Sequence, residues 1–455
     1  MRNAIGVFLV LGVLGACGAT SVGSMDPIEG GTCSKNGATA TAADGCTPCT
    51  CAAKVWKCQP DACEATTGGD GQTPASGGEA PTSNGAAPAG GEVSASGGAV
   101  GVPAGGSSSG ITGTDPNPVV VAGHCARTVP APPEPPPTNA SKRPCDIYAE
   151  DGGPCVAAHS TVRALYATYD GPLYQLRSAD NTTRDIGPTV AGGFADAAAH
   201  DAFCAGTTCT ISVIYDQSGQ GNHLTKAPPG GAKTTPGNEA LAAAAPAAVG
   251  SKKVYGVHIV PGVGYRNNDA CGTAMGDAAE TMYMVAAGDV YNGGCCFDYG
   301  NMERNSRDNG EGTAEAVYFG SNTIWGKGAG SGPWVMGDLE NGLWAGNVTP
   351  YASNLPIDHK YVTAMLKGDG PGKNHWTLKS GDAQGGTLIM PFDGARPSFR
   401  YDPMRKEGGV GLGTAGDNSN AGLGNFFEGV MTAHYSSNEA DDAVQADIVS
   451  VYGAR

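Results

Sequence analysis

The chain has 455 residues, of which 27 are basic and 43 acidic, so its formal net charge is −16. Glycine contributes 73 residues, and only 15% of the residues are charged, against about 25% in an ordinary soluble domain. This composition argues against a helical bundle or coiled coil, and an acidic chain without a basic run argues against nucleic acid as a partner.

The N-terminal segment predicts export. Arg2 precedes an uncharged apolar run over residues 4–14, which is too short for a membrane span of about 20 residues. The run ends in Leu14-Gly-Ala-Cys17, which resembles a bacterial lipobox. Residues 1–16 are therefore expected to be a signal peptide of the lipoprotein type, and Cys17 the lipidated first residue of a tether over residues 17–32. An ordinary signal peptide is the alternative, so the expected location is the bacterial cell surface or outer membrane, or otherwise the secreted fraction.

Fifteen cysteines need an explanation, and export favours disulfide bonds. Six of them lie within residues 33–63, a segment too small to fold on a hydrophobic core alone. Their spacing is similar to that of pacifastin-like protease inhibitors and, more loosely, of von Willebrand C modules. A disulfide-bonded spacer or adhesion module and a zinc site are the alternatives. Residues 64–142 are rich in Gly, Ala, Ser, Thr and Pro, so we expect a disordered linker.

A larger domain is predicted over residues 143–455. Short apolar runs separated by Gly, Asn, Asp and Pro predict strands over residues 210–215, 253–260, 282–285 and 361–366. The spacing of apolar residues predicts two helices, over residues 156–169 and 439–452. The many strands favour an all-β fold, a β-sandwich with long loops.

Three carboxylates stand out by their context. Asp338 and Glu340 lie two residues apart, so on a strand both would point to one face together with Met336. Like charges side by side on a strand are costly unless they serve a site. Asp417 lies in a loop rich in Gly and Asn, where catalytic carboxylates are often found. Such a pair would suit a retaining glycosidase at a separation of about 5–5.5 Å, or an inverting one at about 6.5–9.5 Å.

Aromatic and cysteine side chains offer further candidates. Four aromatic residues could supply faces for sugar rings or could be packed in the core: Trp325, Trp334, Trp344 and Tyr299. The adjacent Cys295 and Cys296 could form a vicinal disulfide, two separate bridges or two buried thiols. Their spacing alone favours separate bridges or thiols over the vicinal bond.

Several uncommon strings occur in order along the larger domain: Cys145-Asp-Ile-Tyr148, Pro154-Cys-Val-Ala-Ala-His-Ser160, Ile214-Tyr-Asp-Gln-Ser-Gly219, Gly221-Asn-His-Leu-Thr225, Cys295-Cys-Phe-Asp-Tyr-Gly-Asn301, Gly332-Pro-Trp334, Asp338-Leu-Glu-Asn341, Gly416-Asp-Asn-Ser-Asn420 and Glu428-Gly-Val-Met431. From about Pro144 to the C-terminus, the chain closely resembles the catalytic domain of glycoside hydrolase family 54 α-L-arabinofuranosidases. The resemblance implies a β-sandwich and a retaining, two-step mechanism, with Glu340 as nucleophile and Asp417 as general acid/base.

The resemblance also implies a sugar pocket and disulfide pairs. The pair Cys295–Cys296 would be a vicinal disulfide packed against the arabinose. The other implied pocket residues are Trp325, Asp338, Asn341 and the backbone of Gly416. The implied structural disulfides are Cys145–Cys155 and Cys204–Cys209. Cys125 and Cys271 have no known counterpart in the family, and by elimination we predict that they bond to each other.

These observations predict an exported, retaining α-L-arabinofuranosidase that releases terminal non-reducing α-L-arabinofuranosyl residues from arabinan, arabinoxylan or arabino-oligosaccharides. Two carboxyl groups suffice for this reaction, so we expect no metal and no organic cofactor. The expected partner is a plant cell-wall polysaccharide or oligosaccharide, and the protein is expected to be a monomer that meets the membrane through its lipid anchor only. A non-catalytic carbohydrate-binding lipoprotein and a protease inhibitor acting through the Cys-rich module are the alternatives. β-D-Galactofuranose has a ring stereochemistry similar to that of α-L-arabinofuranose, so the sequence leaves open which of the two sugars the enzyme prefers.

Overall fold

The computed structural model describes residues 39–41, 48–52, 55–58 and 141–453. The predicted signal peptide, Cys17 and the tether lie outside these ranges, as does nearly all of the predicted linker. Three strands within the Cys-rich segment form one antiparallel sheet: β1 (Thr39–Thr41), β2 (Pro48–Ala52) and β3 (Val55–Cys58). In its register Cys49 lies opposite Cys58. The bounds and the role of this module stay predictions.

Strands are the main regular elements of the larger domain. Its elements in chain order are α1 (Pro144–Glu150), β4 (Cys155–Ser160), β5 (Tyr174–Ser178), β6 (Thr183–Ile186), α2 (Ala197–Phe203), β7 (Cys209–Ile214), β8 (Leu224–Lys226), β9 (Ala240–Leu241), β10 (Pro246–Val249), β11 (Lys252–Tyr255), β12 (Val257–Ile259), β13 (Tyr265–Asn267), β14 (Glu280–Ala287), β15 (Asp298–Met302), β16 (Glu315–Gly320), β17 (Trp334–Asp338), β18 (Leu343–Trp344), β19 (Tyr361–Gly368), β20 (Trp376–Asp382), β21 (Ile389–Gly394), a short 3-10 helix (Phe399–Tyr401), β22 (Gly409–Leu412), β23 (Gly424–Thr432) and α3 (Asn438–Tyr452).

Most of these strands belong to two large antiparallel sheets. The smaller sheet has the order β12–β23–β14–β19–β20–β21, with β4 also paired to β23. The larger sheet has the order β18–β17–β16–β15–β22–β13–β8–β7–β5–β6, with β9 paired to β7. The main hydrophobic core contains Met284 and Trp376 from the smaller sheet together with Val317 and Val335 from the larger sheet. The predicted all-β sandwich is confirmed.

The smaller sheet is covered on both faces, which explains its almost continuous apolar sequence. Every residue of β14 is buried. Met282 and Met284 belong to the main core between the sheets, whereas Tyr283 and Val285 belong to a second core that also contains residues of α1 and α3. A strand that is buried on both faces has no solvent side on which polar residues would alternate with apolar ones.

The predicted C-terminal helix is confirmed, and it starts one residue earlier than expected. The side chain of Ser437 caps α3 by accepting a hydrogen bond from the Ala440 N–H at 3.1 Å. Val444 and Ile448, one turn apart, are fully buried in the second core. The helix therefore covers the outer face of the smaller sheet with its apolar side.

The predicted helix over residues 156–169 is wrong. Residues 155–160 form β4, which pairs with β23, and turns follow it. Ala157 belongs to the main core and Ala158 to the second core, which is the alternation of a strand. A run that is apolar on both faces fits the spacing of a helix and of a strand equally well. These residues form a strand because they pair with the edge of β23.

The larger domain carries disulfide bonds at three places that the structure describes: Cys145–Cys155, Cys204–Cys209 and Cys295–Cys296. These pairs coincide with those inferred from the family resemblance. The pairing predicted for Cys271 involves Cys125, which lies outside the described residues. Within the described ranges, no helix combines the length and the apolar character that crossing a bilayer requires.

Candidate active site

The candidate site lies on the outer face of the larger sheet, away from the main core. In β17, Val335 belongs to the main core, so Met336 and Asp338 point to the opposite face, as period two requires. Asp298, at the start of β15, lies on this outer face as well, because its neighbour Tyr299 belongs to the main core. The loops that follow β15, β16, β17 and β22 contribute residues to a cavity on this face.

The cavity has a volume of about 180 Å³ and brings together most of the predicted site residues. It is lined by Cys295, Asp308, Trp325, Asp338, Glu340, Asn341, Gly342, Leu343, Ala415, Asp417 and Ser419. Of the other predicted residues, Cys296 is fully buried next to Cys295, and Gly416 lies between two lining residues in the chain. The fold therefore places the candidate nucleophile Glu340 and the candidate acid/base Asp417 in one cavity.

Glu340 lies in a tight turn between β17 and β18. The strand ends at Asp338, so the expectation that Asp338 and Glu340 share one strand face is wrong. Leu339 is buried in the main core, and its N–H donates to the Gly342 carbonyl at 3.1 Å. Glu340 has a φ of +32°, in the left-handed region that few residues other than glycine adopt, and its N–H donates to Asp338 Oδ1 at 3.4 Å. The turn, rather than strand periodicity, brings both carboxyl groups to the cavity.

Asp417 lies in the loop after β22, and buried Arg266 holds the backbone of that loop. The guanidinium of Arg266 donates to the carbonyl oxygens of Ala415 at 2.6 Å and Gly416 at 2.5 Å. The Asp417 carboxylate accepts a hydrogen bond from the backbone N–H two residues further on, at 2.9 Å. Because a guanidinium presents its donors in a rigid fork, Arg266 fixes the loop that carries Asp417.

Gly416 allows two carboxyl groups to lie against this loop. A Cβ atom built on Gly416 would overlap the Oε2 atoms of both Glu340 and Glu303, and it would lie 2.6 Å from Glu303 Cδ. No side chain fits at this position while those carboxyl groups stay in place. The carboxyl groups themselves therefore require glycine here.

Carboxyl groups crowd around Arg266, and two of them form a first pair. Burial raises the pKa of Asp298 to about 6, although hydrogen bonds from two backbone N–H groups oppose this shift. Burial and the nearby Asp298 raise the pKa of Asp338 well above its usual value. The two side chains interact, and neither Oδ2 atom has another hydrogen-bond partner among the described residues. These directions place the shared proton on Asp338 and the negative charge on Asp298.

Glu303 and Glu340 form a second carboxyl pair. Burial raises the pKa of Glu340, and the neighbouring Glu303, Asp338 and Asp417 raise it further. Burial raises the pKa of Glu303 as well, although the hydrogen bond from Thr313, the interaction with Glu340 and the charge of Arg266 oppose this shift. The Oε2 atoms of both side chains lie against Gly416 and have no other hydrogen-bond partner among the described residues, so a proton must lie between them, because two ionised carboxylates repel each other. The cluster thus holds fewer negative charges than it has carboxyl groups.

The vicinal disulfide Cys295–Cys296 forms one wall of the cavity. Cys295 is half-buried and faces the cavity, whereas Cys296 belongs to a small apolar cluster with Tyr318. The expectation of separate bridges or free thiols, drawn from spacing alone, is therefore wrong. The two sulfurs and a carboxylate oxygen of Asp338 lie within 4.8 Å of one another, a spacing that could suit a metal ion. Sulfurs joined in a disulfide are not thiolates, however, so they do not act as strong ligands.

Only some of the predicted aromatic residues reach the cavity. Trp325 lines it and is 49% exposed. Trp334 and Tyr299 are fully buried, so of the two alternatives left open by the sequence, core packing applies to them. Trp344 is half-buried against the main core, and its indole N–H donates to the Tyr401 hydroxyl at 3.3 Å. Tyr299 alternates with Asp298 along β15 and therefore points into the main core.

The sequence alone did not single out four polar residues of the site: Arg266, Asp298, Glu303 and Asp308. Asp308 lines the cavity, and its Oδ2 accepts a hydrogen bond at 2.7 Å from the Asn341 side chain when the amide nitrogen faces it. Asp298 lies within one of the strings that carry the family resemblance, which is the signal that could have found it. Glu303 and Arg266 belong to no motif, so only the fold reveals them.

Comparison with known proteins identifies the family. The family model described as "Alpha-L-arabinofuranosidase B, catalytic" matches residues 144–453. Similar curated proteins include "Probable alpha-L-arabinofuranosidase B" of Aspergillus clavatus, which is 55% identical over 318 residues, or 68% of this chain and 62% of the relative. "Arabinofuranosidase/B-xylosidase" of Trichoderma koningii is 54% identical over 314 residues, with the same coverage. The chain thus spans 62% of the length of these relatives.

Solved structures show the same fold. A family 54 α-L-arabinofuranosidase soaked with a cyclic sulfate inhibitor has a TM-score of 0.66 and 50% sequence identity, covering 68% of this chain and 65% of that chain. An arabinofuranosidase complexed with arabinofuranosyl-α-1,2-xylobiose has a TM-score of 0.65 and the same identity, covering 68% of this chain and 66% of that chain. The chain belongs to glycoside hydrolase family 54, the family of alpha-L-arabinofuranosidase B catalytic domains.

Proposed function

We propose that this chain is a retaining α-L-arabinofuranosidase that releases terminal non-reducing α-L-arabinofuranosyl residues from arabinan, arabinoxylan or arabino-oligosaccharides. The proposal rests chiefly on the cavity that holds Glu340 and Asp417 together in a family 54 domain. The names of the relatives and the oligosaccharide bound to one solved neighbour support the same substrate class.

Glu340 acts as the nucleophile in the first step. One oxygen of its carboxylate attacks the anomeric carbon while the bond from that carbon to the leaving oxygen breaks, and Asp417 gives its proton to the leaving oxygen. The products are a glycosyl ester on Glu340, a free alcohol and the Asp417 carboxylate. The step requires an ionised Glu340 and a protonated Asp417 at the same time.

Asp417 acts as a base in the second step. Its carboxylate takes a proton from water while the water oxygen attacks the anomeric carbon, and the ester electron pair returns to Glu340. Two inversions at the same carbon leave the α configuration unchanged. Two carboxyl groups supply every proton and electron pair in this scheme, so it requires no metal and no organic cofactor.

The cavity offers apolar and polar contacts to one sugar ring. The half-buried Cys295 and its disulfide partner present an apolar wall, and the partly exposed Trp325 presents an aromatic face. Asp338, with a raised pKa, and Asn341 offer polar groups to the sugar hydroxyls. A ring held by these groups would place its anomeric carbon near Glu340.

Hydrolysis of 4-nitrophenyl α-L-arabinofuranoside by the full chain tests the proposal. Glu340→Gln should lower turnover by about 10⁴-fold or more, because no side-chain nucleophile remains. Asp417→Asn should lower it by roughly 10²–10⁴-fold. Asp289→Asn, at an exposed position after β14, serves as the matched control and should leave turnover unchanged.

Added azide sharpens the test on Asp417→Asn. Azide needs no general base, so it should restore 4-nitrophenol release and yield arabinofuranosyl azide of the α configuration. The 4-nitrophenyl β-D-galactofuranoside and β-D-xyloside are measured in the same assay to determine the sugar preference. The xyloside is included because the Trichoderma koningii relative is named as a β-xylosidase as well. A folded wild-type protein that cleaves none of these glycosides contradicts the proposal.

The two alternatives predict different results. A carbohydrate-binding protein would bind arabino-oligosaccharides without hydrolysing them, and its affinity would not depend on a protonated Asp417. A protease inhibitor would act in a protease panel through the Cys-rich module, most of which lies outside the described residues. Neither role explains the two pairs of buried carboxyl groups beside the cavity.

The location proposed for the enzyme is outside the cytoplasm. Disulfides such as Cys145–Cys155 and Cys204–Cys209 favour an oxidising compartment. The relatives named above come from fungi, which does not support a lipid anchor of the bacterial type. Lipidation of Cys17 therefore stays a prediction, and the mass of the mature N-terminal peptide decides it.

A further inference from the structure

Glu303 lies directly beside Glu340 but does not line the cavity. It follows β15 and is fully buried. Its Oε1 accepts a hydrogen bond from the Thr313 hydroxyl at 2.7 Å. Its Oε2 is also buried, has no hydrogen-bond donor among the described residues, and lies with Glu340 Oε2 against Gly416. The Oε2 atom of Glu303 thus has the Glu340 carboxyl group as its polar neighbour.

The contact between Glu303 and Glu340 is fixed by packing. Both Oε2 atoms lie against Gly416, which leaves no room for them to move toward the loop. Glu340 Oε2 is likewise buried without another partner among the described residues. Two carboxylate oxygens in this position repel each other unless a proton lies between them.

The burial of the two acids and the reaction proposed for Glu340 favour a proton on Glu303. Glu340 lines the cavity and retains some exposure to solvent, whereas Glu303 has none. Loss of solvation favours the proton on Glu303, although the interaction between the two acids and the charges of Asp338 and Asp417 act the other way and raise the pKa of Glu340. A proton on Glu340 would also abolish its nucleophilicity.

We propose that Glu303 is a neutral carboxylic acid whose Oε2–H donates a hydrogen bond to Glu340 Oε2, so that Glu303 positions the nucleophile and keeps it ionised. This inference rests on the proposed function, since it assigns a partner to the proposed nucleophile. The proton stays on Glu303 in both displacement steps. The hydrogen bond leaves Glu340 Oε1 to attack the anomeric carbon.

Other charged groups surround the pair. Arg266 lies beside it, and its guanidinium donates to the backbone carbonyl of Glu303 at 2.6 Å rather than to the carboxyl group. Asp338 and Asp417 face Glu340, and each raises its pKa, so both oppose its ionisation. Asp298 interacts with Asp338 and Arg266. With these neighbours, a neutral Glu303 relieves the charge repulsion on Glu340.

Two substitutions separate a neutral Glu303 from a charged one. Glu303→Gln has the same shape, cannot ionise and keeps an N–H donor toward Glu340, while its carbonyl can still accept from Thr313. Glu303→Met has a similar length but offers no donor. The acid limb of the pH dependence of kcat/KM, which reports the ionisation of Glu340 in the free enzyme, is measured for both variants and the wild type.

A neutral donor predicts that the acid limb of Glu303→Gln coincides with that of the wild type. For Glu303→Met it predicts a limb at higher pH and a kcat/KM about 100-fold lower, because an ionised Glu340 loses its hydrogen bond. If Glu303 were charged, Glu303→Gln would remove a negative charge beside Glu340 and would move the acid limb of kcat/KM to lower pH. That result would overturn the inference. Thermal unfolding of each variant excludes a folding defect as the cause.

An infrared measurement on the substrate-free protein does not depend on activity. Besides the bands of other buried protonated acids such as Asp338, one carbonyl stretch should be present in the wild type and lost in Glu303→Gln, while Glu340→Gln should shift it without removing it. A band lost in Glu340→Gln and kept in Glu303→Gln would place the proton on Glu340 and overturn the inference. If the wild type hydrolyses no furanoside, the proposed function fails, and this spectrum still decides the protonation of Glu303.

Discussion

Gly416 is the position at which a single added methyl group should disable the site without removing a catalytic group. Its backbone is not in the left-handed region, so alanine fits the backbone itself. The new Cβ would overlap carboxyl oxygens of Glu340 and Glu303, and ordinary contact requires about 3.5 Å. Both carboxyl groups must therefore retreat by more than about 1 Å, and a misplacement of that size costs roughly 100-fold in rate. Gly416→Ala should accordingly lower kcat/KM by about 100-fold, or about 2.7 kcal/mol of transition-state stabilisation.

The assay is the hydrolysis of 4-nitrophenyl α-L-arabinofuranoside, with thermal unfolding measured in parallel. Gly385→Ala is the matched control, because a Cβ at Gly385 meets no atom within 4 Å. It should retain wild-type activity and stability. If Gly416→Ala keeps a kcat/KM within about threefold of the wild type and unfolds at the same temperature, the carboxyl groups do not require this glycine, and the description of the site is wrong.

Two further substitutions test the cavity wall and the buried charges. Trp325→Ala should lower kcat/KM about tenfold in the same assay while leaving thermal unfolding nearly unchanged, because the ring is half-exposed beside the cavity. A variant with the wild-type kcat/KM would show that Trp325 does not contact the sugar. Although burial opposes the shift, Arg396 and Lys406 lower the pKa of buried Glu315 to about 2. The charge on Glu315 therefore stabilises the fold above its unfolded pKa of about 4.3, and this contribution is lost as the pH falls toward 2. Glu315→Gln should reduce the free energy of unfolding by about 3–5 kcal/mol at pH 7, measured by urea denaturation, and the difference from the wild type should shrink as the pH approaches 2; a constant difference would refute this assignment.

The β-sandwich could be predicted from the sequence because its strands carry short, β-branched or alternating apolar runs between turn residues. The helix predicted over residues 156–169 failed for a physical reason. Residues 155–160 are buried on both faces, and such a run shows no period that separates strand from helix. Its pairing with β23, far along the chain, decides the structure, and no local pattern reveals that contact.

The site was predicted unevenly. The resemblance identified Glu340, Asp417 and Trp325, and all three line one cavity. Reasoning from strand periodicity placed Glu340 beside Asp338 on a strand, whereas the chain turns after Asp338. Glu303 could not be found at all, because it is one acidic residue among 43 and acquires its neighbours only through the fold.

Covalent trapping of the glycosyl intermediate tests the central claim most directly. The full-length Asp417→Asn variant is mixed with an activated aryl α-L-arabinofuranoside, quenched with acid, digested and mapped by mass spectrometry. The two-step mechanism predicts one arabinofuranosyl group in ester linkage on the peptide that contains Glu340, and none after the further substitution Glu340→Gln. An ester on Glu303 or on any other residue, or hydrolysis by Glu340→Gln at the wild-type rate, would contradict the assignment of Glu340 as the nucleophile.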